Sequence, residues 1–418
     1  MNPEITIPLD LPDVKVLSTE RNREGDFIIY VESTLEGTTC RKCGREITTL
    51  HSLDDFITLR HLPILDRRTF IRIRPKRYRC PDCDGGPTTT QHLSWYSPKS
   101  PNTRPYERYI LLKLVNSTVE DVAIKEDIGY KALEAILDRW INGQVNWDEI
   151  KRVKILGLDE IALKKGHRDF VVIVTLRTSH GEVYPVAVLA DRKKETVRRY
   201  LEGLPKRVKR SIKSVCTDLY EGFINAVKEV LVKARIVADR FHVAKIYSEC
   251  ADSLRKKEMR RLKKELSKQE YDEIKGVMWA FRKKKEDLEE EEKEKLKKLF
   301  EYSQELKQAY HYRERLRAIF EDKDLGKEEA RKKIKNWRRR VKAVGLECYD
   351  KFFKTLGNWM EEITNYFVER ETSGYVEGLN NKIKVMKRRS YGIYNLRHIY
   401  QRIYLDVRGY KVFAGNDC

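Results

Sequence analysis

Three carboxylates stand where the chain can hold them rigidly. Asp159 closes the apolar run of Val153, Ile155, Leu156 and Leu158, at the exit of a strand expected over 154–158. Asp218 closes the β-prone stretch that starts at Ser211, S-I-K-S-V-C-T-D, and Glu377 lies far downstream in Y-V-E-G-L-N-N-K-I-K. A buried strand with an acid at its exit is a common mount for a metal ligand. Three such acids brought together suit two Mg²⁺ ions, or Mn²⁺, because hard cations take oxygen ligands. One ion would activate an attacking water or align a DNA 3′-hydroxyl, and the other would stabilise the leaving oxygen of an in-line displacement at phosphorus. Asp159 would then bridge the ions, with Asp218 and Glu377 holding one each. A single Asp or Glu is more often an N-cap or a surface group, so the reading rests on the three jointly.

A second set of residues has metal-ligand spacing. Cys40-Arg-Lys-Cys43 and Cys80-Pro-Asp-Cys83 are two C-x2-C knuckles, each placing two sulfurs at one edge of a tetrahedron. They predict a structural zinc site; the plainer alternative is two unrelated turns. His51, His61 and His92 are possible substitute ligands, although isolated histidines are usually ordinary surface or core residues. Between the knuckles, Thr69 to Cys80 reads as a strand with an apolar face and an arginine face that includes Arg72, Arg74 and Arg77. That face contacts DNA phosphates or is simply solvated. There is no G-x-x-x-x-G-K-[ST] loop, so ATP use is not expected. Nor is there a sign of the arginine cluster that tyrosine or serine recombinase chemistry would need.

The bulk numbers say what must position these groups. A chain of 418 residues is too long for one core. Its charged fraction is 36% and its net charge +21, an excess that points to a polyanion, with nucleic acid first and an anionic membrane surface second. No run reaches the ~18 apolar residues of a membrane span. The N-terminus lacks a basic-then-apolar leader, so the cytoplasm, beside the nucleoid, is the expected location. Eight cysteines suit that compartment as thiols or metal ligands.

Five segments follow. Residues 1–98 form a β-rich module around the cysteines, and Ser97 to Arg104, with two prolines, is a linker. Residues 104–148 hold a helix over Tyr106 to Val115, then two short helices around a Gly turn, Thr118 to Asp127 and Lys131 to Ile141. Thr118 is a good N-cap, with Asp121 at the capping-box position. The pattern predicts a helix-turn-helix that binds DNA through Lys131 and Arg139, against a purely structural αα-hairpin. Residues 150–245 read three strands, helix, strand, helix, strand, with further strands ending at Leu176, Leu189 and Ala238. This is the order of a ribonuclease-H-like fold, in which acids ending the first and fourth strands are neighbours. Residues 246–345 are an all-helical insertion with 30 Lys and Arg against 21 Asp and Glu over 251–340; its most basic stretch, Arg331 to Lys342, is expected to touch phosphate or to be a solvated face. Residues 346–418 return to the catalytic domain. There a helix signalled by Glu371 to Gly374 carries Glu377, Lys384, Lys387, Arg388 and Arg389. Lys384 is seven residues, about two turns, past Glu377 and so on the same face, where it would meet DNA phosphate beside the metals.

Nearly the whole chain resembles insertion-sequence transposases of the ISL-three family, in the class with an Asp-Asp-Glu triad. The resemblance is carried by the zinc region with Leu62-Pro63 and Arg77-Tyr78-Arg79-Cys80, by Gly157-Leu158-Asp159-Glu160, by Thr217-Asp218, by Ala238-Asp239-Arg240-Phe241-His242-Val243, and by Val376-Glu377-Gly378-Leu379-Asn380-Asn381-Lys382-Ile383-Lys384. It implies a ribonuclease-H-like catalytic domain interrupted by a helical insertion, with Asp159, Asp218 and Glu377 as the triad. It also implies metal-dependent cutting and joining of double-stranded DNA at terminal inverted repeats and target sites, by a homodimer. Asp239 and His242 resemble an Asp-x-x-His or Cys-x-x-His pair of related groups, without a role that carries over. Two alternatives remain: a silenced or repurposed transposase acting as a DNA-binding regulator through its zinc and helix-turn-helix modules, and a structure-specific ribonuclease-H-like nuclease.

Overall fold

The computed structural model describes residues 7–143, 145–162, 170–370, 374–389 and 395–415. Two compact units divide it, one of residues 1–142 with 408–418 and one of residues 143–407.

In the first unit, alternating apolar residues build a four-stranded sheet in the order Val14–Arg21, Phe27–Ser33, Arg67–Ile73, Ile57–Ile64. Ile29, Val31, Leu59, Ile71 and Ile73 form its buried face, with Leu93 and Trp95 packed on them. A small sheet of Leu50–Leu53, Lys76–Arg79 and Thr88–Thr90 follows. The strand expected over Thr69 to Cys80 is therefore two strands in two sheets. Pro75, which has no N–H to donate to a ladder, lies in the break.

Three helices complete this unit. Helix Arg104–Leu114 starts on an N-cap, Thr103, with Pro105 in its first turn. Helix Val119–Glu126 is capped by Thr118, whose hydroxyl accepts the Asp121 N–H at 2.9 Å. It ends at Asp127 with φ +47, so the left-handed position falls on Asp127 and not on Gly129. Helix Tyr130–Trp140 buries Leu133, Ile136 and Leu137. Arg60 donates to the carbonyls of Asp127 at 2.8 Å and Glu126 at 2.5 Å, so a guanidinium from the sheet satisfies the free end of the second helix. Arg68 pairs with Asp26 at 2.8 Å and Asp127 at 2.7 Å, which ties the same turn to the sheet.

Glu107 is the polar anchor of the three helices. It is buried, accepts from Ser100 Oγ and Trp140 Nε1, each at 2.7 Å, and pairs with Arg139. Glu107→Ala would strand the Arg139 guanidinium and the Trp140 N–H. The expected cost is about 3 kcal/mol in the unfolding of this unit. Denaturant unfolding followed at Trp140 checks it, and a loss below about 1 kcal/mol would contradict the anchoring role.

The second unit is organised by a five-stranded sheet in the order Val183–Leu189, Phe170–Thr178, Val153–Ala162, Ser214–Thr217, Arg235–Ala238. The first three strands are antiparallel, and the last two run parallel to Val153–Ala162. Pleating splits the central strand between two cores. Leu156 and Leu158 join Val215 and Ile236 against Val197, Leu201, Phe223 and Val227 of helices Lys194–Gly203 and Glu221–Val230. On the other face Ile155 joins Cys216 and Val237 against Val243 and Tyr247, while Ile161 joins Val171 and Ile173 against Ile383 and Met386.

From Arg240 to Glu369 the chain is helical, opened by the 26-residue helix Arg240–Glu265. Aromatic residues fill its core, among them Phe281, Phe320, Trp337, Tyr349 and Phe352. Arg313 is fully buried there, with its guanidinium held by Glu314 at 2.8 Å, the carbonyls of Phe281 and Lys283, and the Tyr310 ring at 4.6 Å. Helices Gly374–Arg389 and Leu396–Phe413 close the chain. No helix among the described residues is long and apolar enough to cross a membrane.

Candidate active site

The parallel strands set the site. Leu158 pairs with Thr217, and Thr217 with Ala238. The next residue of each strand is an aspartate, so Asp159, Asp218 and Asp239 stand side by side in one row. All three continue the face of Ile155, Cys216 and Val237, two residues or a multiple of two further on. The Asp159 strand does not end at its acid, as the sequence pattern suggests, but runs on to Ala162, because Phe170–Thr178 pairs with it along its whole length. Asp218 does follow directly on its strand, Ser214–Thr217, while the residues expected to begin that strand belong to helix Lys206–Ser211 and a short connection.

Asp159 is 6% exposed. No donor among the described residues hydrogen-bonds its carboxylate. Burial first, then the Asp218 charge, lifts it from the ordinary carboxylate range to about 7, with His242 and Lys384 acting in the opposite direction. Asp218 is also raised, mainly by burial, against the pull of His242. His242 Nδ1 lies 2.5 Å from Asp218 Oδ1 and 3.3 Å from Asp239 Oδ2. Its hydrogen bond to Asp218, then that to Asp239, pushes His242 up to about 10, so an imidazolium stands opposite the acids. Asp239 also caps helix Arg240–Glu265, accepting the Phe241 N–H at 2.8 Å. Asp218, Asp239 and His242 bring one ligand atom each within 4.8 Å of the others.

The donor set fits hard divalent cations. It holds two to three carboxylates in a row, one of them buried with no hydrogen-bond donor among the described residues, where an anion is costly without a cation beside it. Glu377 and Lys387 lie on helix Gly374–Arg389, but their side chains fall outside the described residues, as does the expected start signal at 371–373. Lys384 is exposed on that helix, and its charge reaches Asp159. Arg388 and Arg389 are exposed farther along. Glu160, on the opposite face from Asp159, pairs with Arg192 at 2.9 Å; Arg192 also covers the Phe170 and Tyr220 rings at 4.4 and 4.9 Å. No local sequence signal joins Glu160 to Arg192, 32 residues away.

The four cysteines meet. Their sulfurs all lie within 4.8 Å of one another, and Cys43 Sγ to Cys80 Sγ is 3.8 Å. A tetrahedron with Zn–S near 2.3 Å has edges of about 3.8 Å. Tight turns shape both knuckles: the Gly44 N–H donates to Cys40 O at 2.9 Å with φ +74 at the glycine, and the Gly86 N–H donates to Cys83 O at 2.9 Å. Backbone N–H groups of Cys43 and Lys42 pull Cys40 down to about 6, while Cys83 is driven up to about 12, first by its contact with Cys43. Four crowded thiols cannot all ionise without a cation among them, so the cluster fits zinc. Among the described residues no histidine joins it. His61 is buried with Nδ1 2.9 Å from Thr103 Oγ1 and is held down to about 4 by burial, and His51 and His92 are exposed.

The expected DNA-facing cations divide. Arg72 lies over Tyr30 and Phe56 and donates to Tyr30 OH at 3.1 Å. Arg74 donates to Asp54 O at 2.9 Å, and Arg77 to Thr88 Oγ1 at 2.8 Å. Arg139 is turned to buried Glu107. Lys131 is exposed in the first turn of its helix.

The comparisons with known proteins specify the class of protein. Residues 156–403, more than half of the chain, match the family model described as a transposase, the ISL3 group of the DDE class. The protein belongs to that family of transposases, enzymes that cut and transfer DNA. It is similar over 382 residues, at 25% identity and 90% coverage of both chains, to the transposase for insertion sequence element IS1001 of Bordetella parapertussis. It is also 22% identical over 395 residues to the transposase for insertion sequence element IS1557 of Mycobacterium tuberculosis, covering 89% of this chain and 86% of that one.

Proposed function

We propose that the protein binds the terminal inverted repeats of its own insertion sequence and cuts and joins DNA strands there by in-line displacement at phosphorus. The observation that carries this is the row of Asp159 and Asp218 on adjacent parallel strands, with Asp159 buried and unserved by any donor among the described residues. Asp159, Asp218 and Glu377 are the metal-holding acids on this reading, and the two Mg²⁺ or Mn²⁺ ions they hold supply activation of the attacking oxygen and charge neutralisation of the leaving one. Asp159 stands at the end of the row, on the strand next to that of Asp218, and with it would hold the ions. Asp218 is held in place by His242, which also keeps Asp239 beside the row. The sheet supports a ribonuclease-H-like catalytic domain over 150–245 and 346–418, with 246–345 as its helical insertion. The thiol cluster supports structural zinc in residues 1–98, and the capped helix pair in 104–148 supports a helix-turn-helix for end recognition, all within a homodimer on DNA.

The test uses DNA from the flanks of the gene, where the inverted repeats must lie. Purified protein should nick a duplex carrying that end at its tip in Mg²⁺ and fail to do so in EDTA. Binding without any nicking in Mg²⁺ or Mn²⁺ would favour a DNA-binding regulator, and nicking governed by DNA structure and indifferent to the end sequence would favour a nuclease.

Lys384 places the substrate on this reading. It is exposed, shares the Glu377 face of its helix, and its charge reaches Asp159. Lys384→Ala should lower the cleavage rate about tenfold or more, the scale of one charge-assisted contact to phosphate, and reduce the salt dependence of end binding by at most about one unit of slope. Rates and slopes equal to wild type, with a deficit in Lys387→Ala or Arg388→Ala instead, would move the contact along the helix.

A further inference from the structure

Helix Lys327–Ala343 carries a charge that its own acids do not answer. It holds nine Lys and Arg against two Glu, a surplus of seven in a chain whose whole surplus is +21. Its apolar stripe of Ala330, Ile334, Trp337 and Val341 is buried, and Trp337 Nε1 donates to Tyr312 O at 2.8 Å, which fixes the side that faces out. Of the four cations in the first half of the helix, three are paired within the protein. Lys327 and Arg331 pair with Glu361, and Lys333 pairs with Glu329 at 3.2 Å and Asp322 at 3.3 Å.

From Lys335 onward the pairing stops. Lys335, Arg338, Arg339, Arg340 and Lys342 make no ion pair among the described residues. Arg338 and Lys342 rest on the Phe353 ring at 5.6 and 5.7 Å, which steadies them, and Arg339 donates to Asn336 Oδ1 at 2.9 Å. Lys335, Arg339, Arg340 and Lys342 are exposed. The helix dipole favours cations at a C-terminus, but only over the last turn. Five unanswered cations over about 10 Å of helix exceed what that effect asks for. They match a polyanion with a charge every ~3.4 Å along each strand.

We propose that Lys335 to Lys342 is a docking surface for the phosphate backbone of duplex DNA, blind to sequence and separate from the carboxylate row. This rests on the transposase reading above. What the helix offers is a run of positive charge, which meets the backbone of whatever duplex the protein holds.

The test compares wild type with the triple variant Lys335→Gln, Arg339→Gln, Arg340→Gln, on a duplex carrying the element's end and on a random-sequence duplex of equal length. All three positions are exposed, and equal thermal midpoints confirm an intact fold. The slope of log affinity against log salt should fall by about 2 to 3 on both duplexes, since each lost phosphate contact removes about 0.9. The charge-keeping variant Lys335→Arg, Arg339→Lys, Arg340→Lys should restore it. An unchanged slope while wild type binds both duplexes would overturn the proposal and leave the transposase reading standing, as would a change on the end duplex alone. Failure of wild type to bind either duplex would overturn both.

Discussion

Asp159→Asn should abolish strand cleavage, by about a thousandfold or more, and should make the metal-free protein more stable near neutral pH. The first effect follows from the loss of the buried carboxylate at the head of the row. Asp218→Asn and Glu377→Gln should share it, with end binding nearly intact, because on the proposed reading these acids serve metals and not DNA. The second follows from burial. Asp159 is held at about 7 in the folded protein against an ordinary 3.8. The neutral carboxyl therefore contributes stability that is full below pH 3.8 and gone once the pH passes about 7. Across that window wild type should lose on the order of 4 kcal/mol that the asparagine variant keeps. Thermal unfolding of both proteins in EDTA between pH 5 and 8 reads this directly. Parallel pH profiles would show that Asp159 is not the strained anion described.

Cys80→Ser should empty the thiol cluster and melt the surrounding module while the catalytic sheet stays folded. Cys80 is fully buried, and the apolar support around the cluster is small: Cys40, Ile47 and Tyr78, with Cys83 at its edge. A core of that size cannot hold two knuckles closed against chain entropy. Zinc binding, worth about 10–16 kcal/mol in small structural sites, would do so. Wild type should carry one zinc per chain by elemental analysis, and both Cys40→Ser and Cys80→Ser should carry almost none. Their first thermal transition should drop or vanish, with the transition of the second unit unmoved. Zinc content equal to wild type in either variant, or a wild type free of zinc, would refute the assignment.

Local chemistry made much of this legible in the sequence. The strands expected to end at Leu189 and Ala238 do end there, and the one expected to end at Leu176 runs two residues on, to Thr178. What failed depended on partners distant in the chain. Asp159 is inside its strand because Phe170–Thr178 reaches past it, and no residue near Asp159 signals that. Arg139 pairs with Glu107, 32 residues away, so a cation that reads as free for DNA is held within the protein. Asp239 was recognisable but not placeable. I-L-G-L-D, V-C-T-D and I-V-A-D each end on an aspartate, yet only the register of three parallel strands puts them in one row. Pro75 is the local signal against one continuous strand, since it stands between two arginine-bearing runs and has no N–H to donate to a ladder.

The most direct test asks where the divalent cations sit. Fe²⁺ exchanged into the Mg²⁺ sites, with ascorbate and peroxide, breaks the polypeptide next to the groups that hold it. Scission is expected beside Asp159, Asp218 and Glu377, suppressed by excess Mg²⁺ and lost in Asp159→Asn. Fragments at those three positions would bring the third acid to the row. Cutting confined to other positions, or at Asp159 and Asp218 with none at the Glu377 helix, would contradict the proposed triad.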